Sequence, residues 1–60
     1  MNENVDVMEL TRIFEPEACK EADMCKERGM TPDFDTNLKI VRAMTYARKA
    51  LQYIYYGKSN

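Results

Sequence analysis

The chain contains no histidine and no tryptophan, only two glycines and two prolines, and no acidic residue after Asp35. Each shortage excludes something. Without histidine, the side chain that ordinarily serves as a general base near neutral pH is missing. With glycine only at positions 29 and 57, no glycine-rich loop is available to cradle a phosphate. Carboxylate pairs such as Glu17 and Glu21 sit at the spacing of a solvated helix face rather than of a catalytic dyad. The sequence therefore predicts a non-enzyme with no cofactor and no small-molecule substrate.

Cysteine is equally sparse. Cys19 and Cys25 lack both CxxC spacing and a histidine partner, which makes a poor zinc set, and no metal site is expected. On a helix, residues six apart are separated by roughly 9 Å along the axis. A disulfide tolerates Cα separations of only about 4.4–6.8 Å. Free thiols in a reducing compartment are expected. The opening, MNENVDV, is acidic and has neither the basic nor the apolar segment of a secretory signal. No run approaches 18 apolar residues, so no membrane span is expected. These features place the chain in the cytoplasm of a cell or of a host cell.

What is present is an uneven division of charge. Residues 1–35 hold all ten acids and four bases (Arg12, Lys20, Lys26, Arg28), a net of −6. Residues 36–60 hold five bases (Lys39, Arg42, Arg48, Lys49, Lys58) and no acid, a net of +5. The overall charge of −1 conceals two opposite ends. Such asymmetry points to binding, either of one part to the other or of the basic part to an anionic partner. At 60 residues the chain is one domain with a thin stability margin, and self-association is a natural supplement to its core. Of the five methionines, most suit core filling, and Met30 beside the Gly29 turn is expected to be exposed.

Two punctuation points, Glu15-Pro16 and Gly29-Met30-Thr31-Pro32, divide the chain into three helical segments. Over residues 5–14, Val7, Leu10, Ile13 and Phe14 recur at helical spacing, with Asn4 as the expected cap. A short strand is the rival there, because Val5, Val7 and Ile13 are β-branched. Over residues 16–28, Ala18, Cys19, Ala22 and Cys25 make a small-residue stripe, ended by Gly29. The third helix, over residues 33–56, is capped by Thr31 or Asp35 and stopped by Gly57. The predicted fold is all-α: two short antiparallel helices and a long C-terminal one, in a dimer.

The third helix carries two stripes. Ile40, Met44, Ala47, Leu51 and Ile54 form the expected core face, with Ala43 and Ala50 beside it. Arg42, Tyr46, Lys49, Tyr53 and Tyr56 repeat at the same 4-3-4-3 spacing, nearly opposite. Alternating tyrosine and base is an unusual solvated face, whereas tyrosine is common at interfaces. Three occupants fit it. The first two helices could sandwich the third, so that the rings pack on the Ala/Cys stripe and the bases pair with nearby acids. A second copy could bring its acidic half to the basic helix of the first. Nucleic acid could be held by bases on phosphate and rings on bases, against which stands the acidic pI of about 5.3. The expected function is a small non-catalytic protein-binding module acting through Arg42, Tyr46, Lys49, Tyr53 and Tyr56. A nucleic-acid-binding transcriptional regulator using the same face is the alternative.

Overall fold

A computed structural model describes the backbone of residues 3–56 and the side chains of residues 6–55. These residues form three helices and no strand: α1 Glu3–Phe14, α2 Pro16–Glu27 and α3 Phe34–Tyr56. The strand alternative for residues 5–14 is thereby overturned. So is the Asn4 cap, since α1 already includes Glu3 and Asn4. Gly57 and Lys58 lie outside the described residues.

The helix boundaries follow from local chemistry. The backbone N–H of Glu15 donates to Thr11 O (2.8 Å), closing α1, and its carbonyl accepts from Cys19 N–H (3.1 Å), opening α2. Pro16 stands just inside α2 and keeps Glu15 out of the helical region (φ −134°, ψ 68°). Helix α2 ends in a Schellman motif. Met30 N–H bonds Cys25 O (2.8 Å), Gly29 N–H bonds Lys26 O (3.0 Å), and Gly29 is left-handed at φ 71°. Helix α3 is capped by neither expected residue. Asp33 Oδ1 accepts from the Thr36 N–H at 2.9 Å, the reach of a side chain three positions upstream. Asn37 adds a bond from its side-chain amide to Pro32 O (3.2 Å).

The contacts along α3 fix its partners' direction. Asp6 meets Tyr55, Val7 clusters with Ala47 and Leu51, and Phe14 shares a groove with Ala43 and Lys39. Rising numbers on α1 match falling numbers on α3, so the two are antiparallel. The expected antiparallel hairpin of α1 and α2 does not form, because one residue is too short to reverse a helix. They diverge from a corner at Glu15, where Cys19 Sγ lies 3.9 Å from Thr11 O and Arg12 reaches Asp23.

Both short helices lie on the same side of α3. Its buried residues form a single stripe, Ala43, Ala47 and Leu51, and the thinnest dimension of the molecule is 14 Å, that of two helix layers. The core comprises these three with Val7, Thr11, Ala18, Cys19 and Cys25, and with Leu10 and Met44 packed against it. Ile40, expected on the core face, is only half-buried, as is Ala50 beside it, whereas the flanking Ala43 is buried. Ile54 departs from expectation at 66 % exposed. The start of α1 lies on the Tyr55 side of the stripe, about 100° round the helix, and leaves Ile54 open. On α1, Thr11 is fully buried and Ile13 exposed, because the buried stripe runs Val7 and Thr11, with Leu10 packed beside it, and Ile13 lies about 120° or more round the helix from both.

Candidate functional site

The expected contact face is built by α3 alone. Arg42, Tyr46, Lys49 and Tyr53 follow one another over about 16 Å of helix. All four are exposed, Tyr46 by 64 % and Tyr53 by 63 %. The side chain of Tyr56, the fifth residue of the set, lies outside those described. The internal sandwich is therefore not what this chain adopts: α1 and α2 share the opposite side of α3, and the tyrosine rings are left open.

Among the described residues, Arg42, Arg48 and Lys49 form no ion pair. The ion pairs present stay within one charge region or one helix. Arg12 donates to Asp23 through Nη1 (2.8 Å) and Nη2 (3.4 Å), and Lys39 lies 3.6 Å from Asp35 one turn away. The long-range polar link between the halves is neutral on one side: Tyr55 Oη donates to Asp6 Oδ2 at 2.6 Å.

Arg42 and Tyr46 also line a groove of about 480 Å³ with Phe14, Glu15, Lys39 and Ala43, where the α1–α2 corner passes over α3. Its walls combine two aromatic rings, two cations and one carboxylate. That mixture suits a peptide side chain with both apolar and charged parts better than a bare anion, which Glu15 would repel.

Sequence periodicity missed a second feature of the open side. Phe34 is 80 % exposed, Val41 is exposed and Leu38 half-buried, at i, i+4 and i+7. Thr45 extends this ridge, its hydroxyl turned back onto Val41 O (3.1 Å). The spacing was visible in the sequence, but Ile40 and Met44 offered a longer stripe beside it. Tyr55 was missed too; its partner is 49 residues away, and no local pattern signals such a contact.

The shifted titratable groups each have an identifiable local cause. The Arg12 hydrogen bond holds the Asp23 carboxyl below its usual range. Hydrogen bonds from the Thr36 hydroxyl and N–H do the same for Asp33. Burial pushes both free thiols up, with Glu21 adding to the effect at Cys25. These thiols are poor nucleophiles. Among the described residues, no three Cys, Asp or Glu side chains are grouped to hold a metal, and no helix is long and apolar enough to cross a membrane. No protein-family model matches the chain, and neither a curated protein nor a solved structure shows significant similarity to it.

Proposed function

We propose that the chain is a non-catalytic protein-binding module, of adaptor, regulator or inhibitor type, that works in the cytoplasm through Arg42, Tyr46, Lys49 and Tyr53. The observation that carries this reading is two tyrosines exposed by 64 % and 63 % on the uncovered side of α3, interleaved with two cations that form no ion pair among the described residues. Tyrosine supplies a large contact area at little conformational cost, and the cations supply steering toward an acidic surface. The groove beside Arg42 and Tyr46 would receive one anchoring side chain of the partner. Nucleic acid is the second occupant of the same face, favoured by the aromatic rings between bases and opposed by the ten acids of residues 1–35.

The test is capture from cytosol by the tagged chain against a Tyr46→Ala/Tyr53→Ala double variant. Both positions are exposed, so the fold should change by no more than about 0.5 kcal/mol per site. A protein retained by the wild type, lost with the double variant and released by added salt, then bound again as a purified pair, supports the proposal. Identical capture by both chains refutes it. Retention on DNA-cellulose that declines steeply with salt would transfer the face to nucleic acid.

A further inference from the structure

The open side of α3 holds an apolar ridge beside the tyrosine face, and the ridge is self-complementary. Phe34, Leu38, Val41 and Thr45 run at 4-3-4 spacing, the pattern by which one helix packs along another. At about 100° per residue the ridge lies roughly 140° from the Ala43–Ala47–Leu51 core stripe and about 80° from the tyrosines. None of the described residues covers it: Phe34 is 80 % exposed and Val41 57 %. Thr45 has its hydroxyl occupied by Val41 O, which leaves its methyl group for packing.

Charge along the ridge is polarised. Asp33 and Asp35 stand at its start, while Arg42 and Arg48 flank its end. A helix with acids at one end of an apolar ridge and bases at the other complements its own reverse. We infer that the ridge is covered by a second copy of this chain, with the two α3 helices antiparallel about a two-fold axis between Leu38 and Val41. In that register Phe34 faces the second copy's Thr45, and Leu38 faces its Val41. Asp35 then lies between the second copy's Arg42 and Tyr46, and two-fold symmetry repeats the pairing. Lys39, which neighbours Asp35 at 3.6 Å within the chain, stays at the rim. α1 and α2 lie on the far side of each α3 and do not obstruct the approach.

The arrangement has a geometric corollary. A two-fold axis that reverses α3 leaves matching edges on the same side of the helix pair. The two sets of Arg42, Tyr46, Lys49 and Tyr53 would then form one continuous surface. The inference concerns the same open side as the proposed function but does not need Tyr46, Lys49 or Tyr53 to bind anything.

Sedimentation equilibrium of the purified chain tests it. The expected mass is twice the 7.0 kDa of one chain, falling to a single chain in Val41→Glu with an unaltered helical circular-dichroism spectrum. Asp35→Arg and Arg42→Asp should each weaken association by about tenfold, since each change breaks two pairs, and the double variant should recover most of the loss. In a parallel pair Asp35 would face its own copy, and the double variant would not recover. A wild-type monomer throughout the micromolar range overturns the inference, as does a Val41→Glu chain that remains dimeric. A monomer that still captures a protein through the tyrosines overturns this inference alone and leaves the proposed function standing.

Discussion

Among the described residues, Thr11 is the one fully buried polar side chain, and its hydroxyl donates to Val7 O at 2.7 Å. That carbonyl also receives the helical N–H one turn later, so the hydroxyl is satisfied but not required. Thr11→Val should therefore change stability by less than about 1 kcal/mol, whereas Thr11→Ala should cost about 1–2 kcal/mol through the void it leaves. Chemical denaturation of the two variants separates these outcomes. The carboxyls of Asp23 and Asp33 act in the other direction. Their folded-state pKa values lie below the ordinary carboxylate value, so their stabilisation is present above about pH 4 and fades as pH falls through the folded values. The buried thiols behave oppositely: raised in the folded state, they contribute stability that declines as pH rises through and beyond the ordinary thiol range. Melting temperature should plateau between these limits and fall at both ends. Asp23→Asn with Asp33→Asn should flatten the acidic arm while leaving the alkaline arm intact.

At the scale of elements, Gly29 tests whether the Schellman turn is conformational or steric. Its φ is 71°, and a Cβ placed there would meet nothing within 4 Å. Gly29→Ala should cost about 1–2 kcal/mol from backbone conformation alone, and Gly29→Asn less, as read by thermal melting. This turn was legible in the sequence, as were the Glu15-Pro16 break and the small-residue stripe of α2, because each is written in neighbouring residues. Helix identity and number were legible for the same reason. The N-cap of α3 was not, since Thr31, Asp33 and Asp35 are all competent and only the path of the chain selects Asp33. The exposure of Ile13 and Ile54 was also hidden. Periodicity defines a face about as wide as the helix, but which edge of that face is covered depends on where α1 crosses α3. The exposure of Tyr46 and Tyr53 turned on a similar point: the same two stripes fit a sandwich or a two-layer stack, and the sequence does not count layers.

As a whole the molecule is a slab two helices deep, with Leu51 and Val7 as the largest apolar side chains in its core and the remaining core positions filled by alanine, cysteine and threonine. So little buried apolar area leaves no part able to stand without the rest, and covering the open side of α3 would add stability by mass action. The corner at Glu15 ties α1 and α2 into one lid over α3, and Arg12 with Asp23 braces it. A body this shallow offers its backbone amide protons no gradation of shelter. In native-state hydrogen–deuterium exchange, the slow amides of α3 around Ala47 should all exchange at one common free energy equal to that of global opening, with no tier of intermediate protection. That common free energy should rise with chain concentration if the lid's far side is where copies meet.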